Sequence, residues 1–291
     1  MKDLFAPRSS ADRPSVVLAL RLTAVILLLQ PATIWYIRPI LLALAILLLL
    51  SRRILLTPAA WAGITFLAVV RVMREWPTGD NHHYLLAYWC IAILIALWAP
   101  SPDKALAKSA RWLVILVFVW ATLWKAVLSP DYMDGRFYRV TLLTDYRFAE
   151  ITRLVGDLTV DELRDTAAYL DPARNSTRDT PRLVEPPALA NLAFFLTWMT
   201  LILEGAVAFA FLLPWGRWTE IVRHGLLLGF CVLAYAIAPI PTFGSTLIAL
   251  GIAQVSLDRN RMRVAYVAAF LLLRFYVEIP WGRILALAER I

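Results

Sequence analysis

Charged residues, cysteine and histidine are all scarce in this chain of 291 residues. Charged residues make up 17% of it and hydrophobic residues 60%, whereas a soluble domain has about 25% charged and about 45–50% apolar residues. The mean hydropathy is +0.67. This composition argues against an ordinary water-soluble protein and predicts one that crosses a membrane several times.

The two cysteines, Cys90 and Cys231, each stand alone inside an apolar run. Neither belongs to a CxxC pair, which argues against a disulfide framework or a dithiol redox site. We expect both thiols to be buried. The net charge is +8, but no basic stripe is interleaved with exposed aromatic residues, so nucleic acid is not an expected partner. No metal site is predicted.

Apolar runs of about 17–25 residues, the length that a bilayer requires, occur along most of the chain. They predict an all-α polytopic membrane bundle of about eight or nine transmembrane helices. The predicted spans are residues 14–30, 34–50, 55–72, 83–99, 110–128, 189–213, 221–240, 243–257 and 264–281. The first two can instead form a re-entrant or tilted pair bent at Pro31, so the number of spans within residues 14–50 stays open.

A long polar segment, residues 129–187, separates the first five spans (1–128) from the last four (188–291). Within this segment, residues 156–163 have the pattern of a capped amphipathic helix, with Asp157 or Thr159 as the N-cap. The segment is too short for an ordinary independent domain. We therefore expect a small, partly helical cap on one integrated membrane domain.

Basic residues in the short loops predict the topology, because they concentrate on the cytoplasmic side of a membrane. If the N-terminus is cytoplasmic, only Arg71 and Arg74 fall in the outer short loops. The inner basic residues are then Lys2, Arg8, Arg13, Arg52, Arg53, Lys104, Lys108, Arg111, Arg217, Arg223, Arg259, Arg261 and Arg263. This distribution predicts a cytoplasmic N-terminus and an extracytoplasmic cap, and the short loops favour a bacterial inner membrane. The lipid bilayer is then an expected partner.

Lys125 is informative because a charge inside a membrane span is costly and is usually kept for a function. It lies near the end of the fifth predicted span, while His82 and His83 begin the fourth. A short inner loop joins the two spans, so they should be antiparallel neighbours that bring these side chains to the outer surface. A desolvated lysine, kept dry by Trp120 and Trp124, can act as a general base, and a histidine can position a ligand. The alternative is that Lys125 snorkels to the interface and the histidines are interfacial polar residues.

Residues 81–85 read Asn-His-His-Tyr-Leu and resemble the Asn-His-x-Tyr-Leu motif of the vitamin K-dependent γ-carboxylase-like membrane family, also known as the horizontally transferred transmembrane (HTTM) domain. Residues 120–125, Trp-Ala-Thr-Leu-Trp-Lys, and 131–135, Asp-Tyr-Met-Asp-Gly, resemble its second motif. Glu204 before Gly205, and His224, are similar to later parts of the pattern. The chain departs from the pattern at residue 132, where tyrosine replaces the usual tryptophan.

The resemblance implies a site for reduced vitamin K or another quinone. Lys125 would match the base that deprotonates reduced vitamin K, and His82 the residue that assists it. The oxygenated base formed from the quinone would then remove a proton from a glutamate, which takes up CO₂. The implied ligand-binding residues are Asn81, His83, Tyr84 and Trp124. Whether this chain catalyses a reaction is left open.

Two other functions fit the same sequence. The first is a non-catalytic membrane subunit that scaffolds partner membrane proteins, and the second is a transporter. The transporter ranks lowest, since no pair of Gly-interrupted broken helices stands out in matching halves. Among the other intramembrane charges, Glu204 is predicted to pair with His224 or Arg223, and Arg274 to face either Glu278 or the bundle.

Overall fold

The computed structural model describes residues 13–30, 34–170, 186–214 and 216–279. Within these ranges every regular element is helical and no strand is found, which confirms the predicted all-α class. Several predicted features lie outside the described residues. They are the basic residues Lys2 and Arg8, the cap residues 171–185 and the end of the ninth predicted span, 280–281.

Helices follow one another along the described chain with short connections. Their bounds are α1 Pro14–Leu29, α2 Ile37–Leu50, α3 Arg52–Leu55, α4 Pro58–Glu75, α5 Asn81–Trp98, α6 Pro102–Leu123, α7 Pro130–Met133, α8 Arg136–Thr144, α9 Ala149–Gly156, α10 Val160–Leu170, α11 Pro187–Leu212, α12 Arg217–Ile237, α13 Pro241–Ile252 and α14 Asn260–Glu278. A π-helical turn, Trp124–Leu128, continues α6, and a 3-10 turn, Tyr146–Phe148, precedes α9. Proline starts many of these helices, because its missing N–H would have no intrahelical acceptor in the first turn.

Four of the described helices are long and apolar enough to cross a membrane: α5, α6 with its π-helical turn, α11 and α12. The helices at the other predicted spans fall short. α1, α2 and α13 have 16, 14 and 12 residues, fewer than the roughly 20 that a span needs. Charged residues towards the ends of α4 and α14 shorten their apolar stretches. Helix length and composition therefore do not support the predicted count of eight or nine spans.

The short helix α13 lies among other helices of the bundle and contacts α1, α5, α6, α12 and α14. Nearly all of its residues are buried, as expected for a helix that is apolar on every side. Its backbone approaches its neighbours closely at two glycines. A Cβ added at Gly251 would lie 2.5 Å from the Tyr266 ring, and one added at Gly244 would lie 2.6 Å from Leu273. Only glycine fits at these two positions without a shift of the neighbouring helix.

The first helix is held by residues that follow much later in the sequence. Ser15 Oγ donates a hydrogen bond to the backbone oxygen of Val255 at 2.9 Å, across 240 residues of sequence. Trp89 Nε1 of α5 donates to Thr23 Oγ1 of α1 at 2.8 Å. In the middle of the chain, α5 contacts α4 and α6, and α6 contacts α11. The predicted contact between the fourth and fifth spans is thereby confirmed.

The described part of the cap is helical and packs against the first half of α11. A second hydrophobic core joins Tyr138, Leu142 and Phe148 to Leu192 and Leu196 of α11. The cap is thus fixed to a long apolar helix through side-chain packing rather than through a separate core of its own.

The amphipathic helix of the cap begins as its sequence predicts. Thr159 Oγ1 accepts a hydrogen bond from the Glu162 N–H at 3.3 Å, and Glu162 Oε2 accepts one from the Thr159 N–H at 2.8 Å. This reciprocal pair is a capping box. Of the two predicted N-caps, Thr159 is therefore the one used, while Asp157 has a left-handed φ of 57° at the end of α9.

We expect Gly251→Ala to destabilise the protein by about 1–3 kcal/mol, because the added methyl group overpacks the α13–Tyr266 contact. Gly225→Ala in α12 is the matched control, since an added Cβ there meets nothing within 4 Å. That control should be neutral or stabilising by up to about 1 kcal/mol, as alanine favours helix over glycine. Thermal unfolding in detergent measures both, and equal effects of the two substitutions would contradict the packing of α13.

Candidate functional site

Lys125 lies in the π-helical turn after α6, and its ammonium group forms an ion pair with Glu204 of α11. Lys125 Nζ donates to Glu204 Oε1. The two side chains are 21% and 8% exposed, so most of the pair is shielded by protein. Lys125 is thus singled out by its residue type, a cation at the end of an apolar helix that is paired inside the protein.

The approach of α6 and α11 explains why this pair forms. A Cβ added at Gly205 would lie 3.7 Å from Thr122 Cγ2, so the two helices meet one turn before Lys125. Helical side chains lean towards the N-terminus of their own helix. The long Lys125 side chain therefore leans back to the level of Gly205 and reaches the neighbouring Glu204.

The prediction that Glu204 pairs with His224 or Arg223 is wrong. His224 Nδ1 is instead hydrogen-bonded to the Tyr266 hydroxyl of α14 at 2.7 Å, and both side chains are fully buried. Arg223 is also fully buried. Counting residues along straight spans gave Glu204 and these two side chains similar depths, but it did not account for the reach of Lys125.

One oxygen of Glu204 is left unsatisfied beside Lys125. Glu204 Oε2 is buried and has no hydrogen-bond partner among the described residues, while Oε1 accepts from Lys125. The Tyr132 ring, itself buried, lies 5.3 Å from Lys125 Nζ, measured to the ring centroid. The site thus combines a cation, an aromatic ring and a buried acceptor with spare capacity. Sequence reasoning missed this combination, and its only signals were the separate motifs around Lys125 and Glu204.

Trp120 and Trp124 are more exposed than Lys125. They are 61% and 52% exposed, and their ring centroids lie 6.3 Å apart on the outside of the bundle. The shielding of Lys125 by these tryptophans stays a prediction, while Tyr132 and Glu204 of α11 are the groups found beside its ammonium group. Outward tryptophans on an apolar helix fit the interfacial belt of a membrane protein.

A second polar cluster joins the end of α4 to the start of α5. Arg71 Nε donates to Glu75 Oε1 at 2.9 Å, and Arg71 Nη2 lies 2.6 Å from His83 Nε2. His83 Nδ1 lies 2.5 Å from Glu75 Oε2. An arginine can only donate hydrogen bonds, so Nε2 of His83 has to be the acceptor and Nδ1 carries the proton that Glu75 accepts. This geometry fixes His83 as a neutral imidazole of one tautomer.

His82 stands beside this cluster. Its ring centroid lies 4.1 Å from that of His83, and its Nδ1 lies 4.0 Å from Asp80 Oδ2. Ligand atoms of Asp80, His82 and His83 all lie within 4.8 Å of one another, a spacing open to a metal ion. Both ring nitrogens of His83 are already engaged, so a metal bound to it would have to displace Arg71 or Glu75.

The other predicted ligand-binding residues lie in the same region. Asn81 is exposed at the first position of α5, and Tyr84 is half-buried one turn further on. The Tyr84 ring packs edge-on against Trp76, with centroids 6.1 Å apart. A cavity of about 20 Å³ lies on the inner side of the cluster, lined by Arg71, His83 and Gln30. This volume holds about one water molecule.

The predicted residues thus fall into two groups. His82 and His83 belong to the cluster with Arg71 and Glu75, whereas Lys125 belongs to the pair with Glu204. The meeting of Lys125 with His82 around one ligand stays a prediction. On α14, Arg274 lies over the ring of Phe270 in the same helix, 5.8 Å from its centroid, and this contact does not decide between its two predicted orientations.

No protein-family model, curated protein or solved structure compared with the chain matches it. The resemblance of residues 81–85 and 120–135 to the γ-carboxylase-like family therefore stays a prediction. Function has to be inferred from the geometry of the described residues.

We expect Lys125→Met to destabilise the protein by about 3–5 kcal/mol, because it leaves the Glu204 carboxylate buried without its counter-charge. The double variant Lys125→Met with Glu204→Leu should recover most of this loss, since no charge is then left buried. A double-mutant cycle by thermal unfolding in detergent measures the coupling. Arg136→Ala, which breaks the exposed Arg136–Asp134 pair, is the control and should have little effect. A Lys125→Met variant as stable as this control would contradict the shielded pair.

The cluster at the end of α4 should make stability depend on pH. Burial opposes ionisation of Glu75, but its hydrogen bonds to Arg71 and His83 and the charge of Arg71 hold the pKa of the carboxyl below its ordinary value. In the unfolded chain a glutamate has a pKa of about 4.3. The folded pKa is the lower one, so the stabilisation is present above about pH 4.3 and is lost as the pH falls through the folded pKa.

Glu75→Gln tests this dependence, because glutamine does not titrate. Unfolding temperatures measured from about pH 6 down to about pH 3 should fall less steeply for Glu75→Gln than for the natural chain. Identical slopes would show that Glu75 is not held in its ionised form by Arg71.

Proposed function

We propose that this chain is a multi-pass membrane protein that binds a small lipophilic ligand beside Lys125 and Glu204. The observation that carries the proposal is the buried Glu204 Oε2, which has no hydrogen-bond partner among the described residues. A buried polar atom without a partner costs about 1–3 kcal/mol, and native proteins satisfy nearly all such atoms. A ligand hydroxyl that donates to Oε2 would complete the network that Lys125 begins.

The proposed membrane domain includes more helices than the four long ones. α1, α2 and α13 contribute to the same hydrophobic core as α5, α6 and α12, and α13 contacts each of those three long helices. If the long helices span a bilayer, the short helix packed among them lies in the hydrocarbon layer as well. This packing is the ground for proposing a membrane bundle larger than the four long helices. The basic residues of the short loops are the ground for proposing a cytoplasmic N-terminus and a cap outside a bacterial inner membrane.

We propose a quinone as the ligand, with reduced vitamin K as one candidate. The donor and acceptor set fits such a ligand, because the hydroxyl of a reduced quinone can donate to Glu204 Oε2 while its ring packs on apolar side chains such as Tyr132. When bound, a reduced quinone supplies an acidic, redox-active hydroxyl. Glu204 would hold this hydroxyl and Lys125 would place a positive charge beside it. The family resemblance of residues 81–85 and 120–125 supports the same class of ligand.

Lys125 can accept a proton only after its ammonium group has lost one. The hydrogen bond from Nζ to Glu204 Oε1 provides a route, because the carboxylate can take up this proton and leave a neutral amine. Exchange within the pair avoids an isolated charge in apolar surroundings, which would be far more costly. Glu204 would therefore be the positioning residue that allows Lys125 to act as a base.

His82 is proposed to position the ligand, the role that the family resemblance implies. Arg71 and Glu75 fix the orientation of the His83 ring through hydrogen bonds to its two nitrogens. The His82 ring packs against that of His83. His82 therefore lies at a helix start whose neighbouring residue is held in place by hydrogen bonds. A preorganised side chain of this kind loses little conformational freedom when a ligand binds.

Mass spectrometry of lipids and proteins that co-purify with the chain in mild detergent tests the proposal. We expect a quinone to be retained by the natural chain and largely lost from Lys125→Ala and Glu204→Gln. Glu204→Gln keeps the size of the side chain, so its loss of ligand cannot be ascribed to a cavity. Lys104→Ala, at the opposite end of α6, is the matched lysine control and should retain the ligand.

Other outcomes would favour the alternative functions. Stable partner proteins without any quinone would favour a non-catalytic scaffold, and equal quinone content in all four proteins would place the ligand elsewhere. Transport of a solute by reconstituted vesicles, unaffected by Lys125→Ala, would favour a transporter.

A further inference from the structure

A groove with a volume of about 490 Å³ lies between the start of α6 and the end of α11. Three basic residues of α6 line one part of it: Lys104, Lys108 and Arg111. Their spacing of four and three residues places them on one face of the helix. The other part is lined by apolar side chains: Trp112, Ile115 and Leu212. The groove therefore has a cationic end and an apolar end.

The positive charge of the groove is not neutralised locally. The acidic neighbour Asp103 is largely buried and forms an ion pair with Arg13, with 2.7 Å between Arg13 Nη1 and Asp103 Oδ2. Lys104 and Lys108 are exposed, and in the described ranges neither takes part in an ion pair. Two ammonium groups are thus free to bind an anion.

Arg111 lines the groove and is held in place by hydrogen bonds to α11. Its guanidinium group donates to backbone oxygens at the end of α11, to Phe211 O at 2.8 Å and to Leu213 O at 2.5 Å. These bonds place a positive charge at the negative end of the α11 helix dipole, where it is favourable. They also join α6 to α11 at the groove.

We propose that this groove binds one anionic phospholipid of the cytoplasmic leaflet. The phosphate would lie between Lys104 and Lys108, and an acyl chain would run along Trp112, Ile115 and Leu212. Ile115 lies eleven residues after Lys104 on the same helix, or about 16 Å at 1.5 Å per residue. This distance suits a headgroup at the interface and a chain that enters the hydrocarbon layer.

The arrangement favours a lipid over a soluble anion. A free phosphate would use the lysines only, whereas a phospholipid also covers the exposed face of Trp112, which is 51% exposed. Basic pockets between membrane helices on the cytoplasmic side are suited to anionic headgroups. This proposal rests on the membrane placement of α6 and α11, but it does not depend on a ligand at Lys125.

Native mass spectrometry of the detergent-purified chain, titrated with phosphatidylglycerol or with phosphatidylcholine, tests the proposal. We expect one phosphatidylglycerol to bind more tightly than phosphatidylcholine, and Lys104→Ala with Lys108→Ala to weaken its binding by about thirtyfold. Lys104→Arg with Lys108→Arg should retain binding. Arg52→Ala with Arg53→Ala removes the same charge from an exposed site outside the groove, and should also retain it.

Four results would overturn the proposal. The first two are equal affinity for phosphatidylglycerol and phosphatidylcholine, and an unchanged affinity for phosphatidylglycerol in the double lysine variant. The third is a loss of affinity in the double variant of Arg52 and Arg53 as large as that in the double lysine variant. The fourth is displacement of phosphatidylglycerol by inorganic phosphate at the same concentration as the lipid. The last result would identify a free-anion site. Trp112→Ala distinguishes the contribution of the apolar end from that of the cationic end, because it should weaken binding of the lipid but not of phosphate.

Discussion

Charged side chains inside the bundle have to find partners within the chain, because neither lipid nor an apolar core solvates them. The Lys125–Glu204 pair meets this requirement by joining α6 to α11. Arg71, Glu75 and His83 meet it by joining α4 to α5. Each group fixes the rotation of two helices about their axes, and each therefore sets which side chains the bundle presents to a ligand.

The basic residues at the two ends of α6 have different surroundings. At one end Lys125 is held by a carboxylate of the neighbouring helix. At the other end Arg13 neutralises Asp103 and leaves Lys104 and Lys108 exposed. The helix thus combines an internally satisfied cation with cations that face outwards. This asymmetry along one helix underlies the two proposals, a ligand beside Lys125 at one end and a phospholipid at the other.

Local patterns in the sequence predicted the features that depend on near neighbours. The capping box at Thr159 and Glu162 follows from their spacing alone, and the contact of α5 with α6 follows from the short loop between them. The importance of Lys125 could be recognised because a charge inside an apolar run is unusual. These features involve only a few residues close together in the chain, so no knowledge of the tertiary fold is needed.

Features that depend on tertiary packing could not be read in the same way. The partner of Lys125 is 79 residues away, and the lean of its side chain and the approach of α11 at Gly205 decided the pairing. The predicted number of spans is not supported for a related reason, because α13 is apolar enough to resemble a span although it has only 12 residues. The outward orientation of Trp120 depends on which face of α6 packs, and the aromatic residues themselves do not specify that face.

The hydrogen bond between Ser15 and Val255 can form only after the residues between them have been synthesised. At about 5–20 residues per second, the ribosome needs about 12–48 s to make the 240 residues that separate the two. Throughout that time α1 lacks its contact with α13. The face of α1 that contacts α13 therefore stays uncovered by that helix until α13 has been synthesised.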